Sequence, residues 1–244
     1  MERIIKSIRY YASNFPNENG KSLPGEEFFI TLIGLKNNYD KYGTIIARKL
    51  NELKFISGEF DHIYINYSTI IEENKINIST RKPEKWIQYI DYGVTESRIK
   101  TMDEKLKSAF IIETTFLALM ELYKMDNEKI SVLENIKDQL NKYGDLLKIK
   151  YKTKETKKWK IDVYYQINPN GINGTKCIVE YKDYSNKCFS EEFIFNDYEY
   201  IYEVMDNILV KDNSIIITPK KSHRASLYIK DIKKYKIPIK IKIK

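Results

Sequence analysis

The chain has 244 residues with 42% apolar and 13% aromatic side chains, enough to fill a core for one domain or for two smaller ones. No run approaches 18 apolar residues, and the N-terminal stretch carries no uninterrupted apolar segment, so neither a membrane-spanning helix nor a signal peptide is expected. The net charge of +8 is unevenly placed: residues 1–122 carry 17 basic and 17 acidic side chains, residues 123–212 carry 15 and 16, and residues 213–244 carry ten and one.

Arg3, Arg9, Arg48, Arg81, Arg98 and Arg224 are the only arginines among 42 basic residues. Arginine is the side chain of bidentate phosphate and guanine contacts, so a lysine surplus points only weakly to nucleic acid. The abundance of Lys, Ile, Asn and Tyr reads as the codon usage of an AT-rich bacterial or phage genome.

In chain order, Ile4, Ile5, Ile8 and Ala12 predict a short helix over 3–13. Asn14–Gly25 reads as a loop on its Pro and Gly content. Phe28–Leu35 is a short apolar run that periodicity alone assigns to neither strand nor helix. Ile45, Ile46, Leu50 and Leu53 predict a helix from Asp40 that ends before Gly58. Alternating β-branched and aromatic residues predict strands at 60–67, 75–79 and 86–92. Met102, Leu106, Ala109, Phe110, Phe116, Leu117, Met120 and Tyr123 predict a long core helix over 101–123, with Thr101 as N-cap and Glu104 completing a capping box.

A helix over Asn127–Tyr143 follows, stopped by Gly144. Strands are predicted at 146–153, 158–166, 175–182 and 188–194, a helix at 197–208 and a strand at 214–218. At the end, Ile237, Ile239, Ile241 and Ile243 alternate with lysines, which predicts an edge strand with Ile inward, Lys outward and Pro238 interrupting the donor row. The fold expectation is α+β: mainly antiparallel sheets with helices packed on one side. Two lobes of αβββα type, 1–125 and 126–244, are favoured over a single domain. The fragments 86–93 (WIQYIDYG) and 178–185 (IVEYKDYS) raise the option of an internal duplication.

Two function classes follow. The order of helix, three strands, helix, strand in the second half resembles the PD-(D/E)xK nuclease core. That resemblance implies Mg²⁺ held by Asp162 and Glu180, Lys182 beside the attacking water, and Glu134 assisting from the helix. Against it, E-x-K recurs at Glu52–Lys54, Glu73–Lys75 and Glu155–Lys157. Lysines alternate with apolar residues along 148–154, 158–164 and 176–182, the pattern of a sheet with one buried and one wet face. On that reading no metal or cofactor is needed, and Asp162 and Glu180 are cross-strand partners of lysines.

The favoured class is therefore a non-catalytic cytoplasmic protein-binding module, in concrete form an immunity or antitoxin-type inhibitor. Lys220, Lys221 and Arg224 are its candidate contacts to an acidic protein surface; nucleic acid is the less favoured partner, and a membrane is not expected. The 20 tyrosines fit either an interface or sheet cover. Neither His62 nor His223 has a nucleophile in recognisable context. Cys177 and Cys188 read as reduced thiols, and no glycine-rich phosphate loop is present.

Overall fold

The computed structural model describes residues 2–13, 40–80, 84–185 and 187–243. Among these are 13 strands and 6 helices, and the fold is α+β with mostly antiparallel sheets. Contacts divide the chain into two compact units, 1–142 and 143–244, so helix Asn127–Tyr143 clusters with the first unit. The sequence expectation placed that boundary near 125. No helix among the described residues is long and apolar enough to cross a membrane.

The first unit begins with β1 (Arg3–Ile4) and β2 (Ser7–Ser13), where the sequence predicted a helix. Ile8, Tyr10 and Ala12 are all buried on one face while Arg9 points away, which is the strand period of two. Counting Ile and Ala alone hid Tyr10 and gave a false period of four. The loop expected at Asn14–Gly25 and the run Phe28–Leu35 lie outside the described residues.

Helix α1 (Asp40–Glu52) follows, then β3 (Ile56–Gly58), β4 (His62–Ser68), β5 (Ile76–Ile78) and β6 (Ile87–Gly93). The main sheet has the order β2-β4-β6-β5; β2, β4 and β6 run parallel, and only β5 is antiparallel. The αβββα order expected for this half differs from the observed one, in which β1 and β2 precede α1. The β2–β4 connection carries a helix, as a parallel pair requires. The approach of α1 to β2 is close: a Cβ on Gly43 would lie 2.4 Å from the Ile8 carbonyl oxygen. Leu53, expected on the buried face of α1, lies beyond the helix end and is exposed.

Helix α2 (Glu96–Thr101) and α3 (Glu104–Leu122) replace the single helix expected over 101–123. Met102 is extended, and the Asp103 carboxylate, not Thr101, caps α3 by accepting from the Leu106 amide at 2.8 Å. The phase of the buried stripe shifts accordingly. Phe110, Ile111, Thr114, Thr115, Ala118 and Leu119 face the sheet, while Leu106 and Leu117 are exposed. The two threonines explain the shift. Thr115 meets the Tyr10 hydroxyl at 2.9 Å and Thr114 the Tyr67 hydroxyl at 2.7 Å, so two buried phenols are satisfied from the helix. Helix α4 (Asn127–Tyr143) completes the unit.

Asp61, 2% exposed, ties the start of the chain to β4. Its carboxylate takes Arg3 and Lys6 at 2.8 Å each and the His62 ring at 2.7 Å. Burial acts to raise its pKa, but the hydrogen bonds from Lys6, His62 and Arg3 outweigh burial and hold it at about 2. A carboxyl depressed in the folded state stabilises above its unfolded value of about 3.9, and that contribution is lost as pH falls toward 2. Asp61→Asn is expected to cost about 1–3 kcal/mol at neutral pH. The gap from wild type in urea denaturation should close between pH 5 and pH 2; a gap that stays constant with pH counts against an ionic origin.

The second unit is an antiparallel meander, β7 (Ile149–Glu155), β8 (Trp159–Ile167), β9 (Thr175–Asp183) and β10 (Cys188–Phe195), in sequential order. Because one half is parallel and the other a meander, the like fragments 86–93 and 178–185 are not equivalent, and the duplication is set aside. Helix α5 (Glu199–Val204) is shorter than the span 197–208 expected for it. Residues beyond it form β11 (Asn207–Lys211), which turns through Asp212 and Asn213, both at positive φ, into β12 (Ser214–Thr218). A two-residue turn of that kind is the usual hairpin connection. After α6 (His223–Asp231), β13 (Ile239–Lys242) adds to β12, giving the order β11-β12-β13. Ile239, Ile241 and Ile243 are buried and Lys240 and Lys242 exposed, as the alternation predicted.

Candidate functional site

The hairpin joining β8 to β9 closes where Asn168 donates its amide to the Gly174 carbonyl at 2.9 Å. That register sets Asp162 directly opposite Glu180, and Lys160 opposite Lys182. β10 then brings Ser190 beside Glu180 and Cys188 beside Lys182. These side chains line a shallow depression together with Glu155, Tyr181, Tyr184 and Phe189. The structure thus brings Asp162, Glu180 and Lys182 together. Glu134 sits on an exposed face of α4, which contacts assign to the first unit.

The charges around the carboxylates are cationic. Glu180 binds Lys148 at 2.6 Å, and Asp162 has Lys150 and Lys160 at 3.6 Å each and accepts a hydrogen bond from Thr153. A divalent ion placed between these two carboxylates would have to displace lysines already close to them. Among the described residues no group of three or more His, Cys, Asp or Glu side chains forms a metal-binding cluster. The melting temperature is therefore expected to move by less than about 1 °C in millimolar Mg²⁺, since a ligand that does not bind the native state does not stabilise it. A larger upward shift that vanishes in Asp162→Ala would install a metal site here.

The face on which lysines were expected to alternate is interrupted. The register of β7 against β8 slips between Lys150 and Lys152. This bulge turns Lys152 and Lys154 to the other side of the sheet, where they bind the carbonyl oxygens of Asp206 and Ile208 beside β11. The alternation assigned to Lys148, Lys150, Lys152 and Lys154 therefore holds only for the first two.

Compared with models of protein families, with curated proteins and with solved structures, the chain has no significant match. The site must be read from its own residues.

Of the three expected anion contacts, Lys220 pairs with Glu203 at 3.3 Å and Arg224 with Glu199 and the Tyr228 hydroxyl, while Lys221 is exposed. The Tyr228 hydroxyl and Glu199 carboxylate both raise the pKa of Arg224, so it stays cationic. The single acid of the C-terminal segment, Asp231, accepts from Asn196 and Tyr200. Lys230, Lys233, Lys234, Lys236, Lys240 and Lys242, with Lys221, are all exposed and have no carboxylate within ion-pair distance among the described residues. The unbalanced charge of the sequence is thus real surface charge; of the cluster at 220–224 only Lys221 belongs to this set, Lys220 and Arg224 being paired with Glu203 and Glu199.

A second polar group lies on the parallel sheet, where the sequence pointed to none. The register aligns Tyr11, Asn66, Asp91 and Asn77 across β2, β4, β6 and β5 toward the carboxyl ends of the parallel strands. Asn66, fully buried, donates to Asp91 at 2.8 Å. Next to this row Tyr64 packs on Tyr11 at 5.1 Å and on Tyr89 at 5.3 Å. Burial and the neighbouring Tyr64 push the Tyr11 hydroxyl up to about 12, so it remains a neutral phenol. The row depends on a parallel pairing, which strand patterns of this length do not reveal. The two thiols are apart in character: Cys177 is buried, which raises its pKa strongly, and Cys188 is exposed.

Among the described residues, eight tyrosines are buried. Tyr10, Tyr67, Tyr92, Tyr165 and Tyr200 are buried in the two cores, whereas Tyr184 is one of the few well exposed.

Proposed function

We propose that this chain is a non-catalytic protein-binding module that docks an acidic protein surface through its C-terminal lysines. The observation that carries this reading is the set of exposed lysines over 221–242 with no carboxylate within ion-pair distance among the described residues, in a unit whose meander pairs Asp162, Glu180 and Glu192 with lysines. Uncompensated charge of one sign destabilises a fold through self-repulsion, and it accelerates encounter with a partner of opposite sign. The lysine headgroup is a mobile point charge without the planar fork that reads phosphates and guanine, which favours protein carboxylates over nucleic acid as the partner chemistry. A cytoplasmic inhibitor of the immunity or antitoxin kind is the concrete form of this proposal.

The test compares the wild type with Lys221→Glu/Lys233→Glu/Lys234→Glu/Lys236→Glu, each tagged and captured from cells of the source organism at low and high salt. A stoichiometric protein held by the wild type, lost in the variant and lost above about one Debye-length's worth of screening at 0.5 M salt, is the expected result. Capture of nucleic acid in place of protein, or a protein held equally by both, overturns it. A second reading, a Mg²⁺-dependent nuclease, has the direct pairing of Asp162 with Glu180 in its favour. It requires metal-dependent cleavage of DNA or RNA that disappears in a folded Asp162→Ala.

A further inference from the structure

The sheet β11-β12-β13 has two edges, and they are treated differently. At the start of β11 the carbonyl oxygens of Asp206 and Ile208 accept from the side chains of Lys152 and Lys154, so that end of the edge is already occupied. At β13 the Ile243 amide donates to the Asn213 carbonyl at 3.0 Å, and Asn213 returns a side-chain bond to the Ile243 carbonyl. Hydrogen-bonded pairs alternate along an antiparallel ladder. With 213 and 243 bonded, the register Ile215↔Ile241 and Ile217↔Ile239 makes those the bonded pairs on the strand. The amides and carbonyls of Lys240 and Lys242 therefore point to the open edge, and no backbone group among the described residues meets them.

We infer that this edge is a docking site for an extended acidic segment of a protein partner, which adds to the sheet as a fourth strand beside β13. The inference rests on the protein-binding reading above and specifies the site and chemistry of the partner. An added strand would form main-chain bonds with Lys240 and Lys242 and place alternate side chains on the two sides of the sheet. On the outer side its residues meet the Lys240 and Lys242 ammonium groups; on the inner side they continue the row of Ile239 and Ile241. The matching segment alternates acidic with β-branched apolar residues. Lysines on an edge bar pairing with a second copy of the same edge, because like charges would face each other. The same lysines admit a strand of opposite charge, so one feature both prevents self-association and selects the partner.

The experiment titrates the intact protein with an eight-residue peptide of alternating glutamate and valine, followed by calorimetry and by amide hydrogen exchange. Slowing of exchange at Lys240 and Lys242 by tenfold or more, and at least tenfold weaker binding in Lys240→Glu/Lys242→Glu, are expected. Lys242→Pro removes an edge-facing donor and leaves the bonds to β12 in place, so it should also weaken binding tenfold, whereas Lys230→Glu/Lys233→Glu should stay within threefold. Circular dichroism checks that each variant is folded, and the exchange result on the wild type decides if Lys242→Pro is not. Binding that is lost with the charges but kept in Lys242→Pro, with no slowing at the two amides, overturns the edge and leaves the lysine reading standing. No binding of the peptide in 50 mM salt, or its displacement by a double-stranded oligonucleotide that binds more tightly, overturns both.

Discussion

Phe116→Ala should lower the stability of the first unit by about 3–5 kcal/mol, the usual cost of emptying a fully buried phenylalanine site. Phe116 is completely buried on α3, and the helix also carries Phe110, whose ring lies 5.8 Å from Tyr67 and 6.1 Å from Tyr92. The helix is held against the sheet just before that position: the Tyr10 and Tyr67 hydroxyls are bonded to Thr115 and Thr114 of α3. A helix held in this way limits how far the site can collapse, and the cavity that remains adds to the cost. In contrast, Leu106→Ala, at an exposed position on the same helix, should cost less than about 0.5 kcal/mol. Urea denaturation followed by tyrosine fluorescence measures both. Equal effects of the two substitutions would mean that α3 packs with the phase expected from its sequence instead of the phase in the structure.

What the sequence made legible was periodicity where one period had no competitor. The meander strands, the α4 helix and the Ile/Lys alternation of β13 belong to this class. It failed where a second period fitted the same residues or where a tertiary partner set the phase. Ile4, Ile5, Ile8 and Ala12 suit a helix only if Tyr10 is ignored, and Tyr10 is buried because a threonine of α3 receives its hydroxyl. Thr101 looked like the better cap, yet Asp103 takes that role because Met102 adopts an extended backbone. The Asp212–Asn213 pair is a hairpin signal in the sequence, and the helix expected over 197–208 leaves no strand for it to join to 214–218. Of the candidate site, the facing of Asp162 and Glu180 could be anticipated from the hairpin loop at Asn168–Gly174. The slip between Lys150 and Lys152 could not, since a bulge leaves no mark in an alternation of lysines. The row Tyr11, Asn66, Asp91 and Asn77 exists only because three strands run parallel in one register.

Removing residues 236–244 should unfold the second unit and send the protein into aggregates. Ile239, Ile241 and Ile243 are 3%, 5% and 7% exposed, and burying each contributes roughly 1.5–3 kcal/mol. Their joint loss is comparable with the whole stability of a small domain. Deletion also strips β12 of one partner. Its Ser214–Thr218 segment contains Ile215, Ile216 and Ile217, a β-branched run without charge, and it would become an unprotected edge. Lys240 and Lys242 now stand between that run and other molecules, so the deletion removes the apolar cover and the charged guard together. Size-exclusion chromatography and dye binding to exposed apolar surface should report soluble aggregates or precipitation within the first purification steps. Ile241→Ala tests the same contact more gently: it should cost about 2–4 kcal/mol and stay monomeric, because the lysines and the β12 pairing remain. A truncated protein that is monomeric and melts at the wild-type temperature would mean that β13 is not part of the core of this unit. The edge it presents to a partner would then have no rigid support.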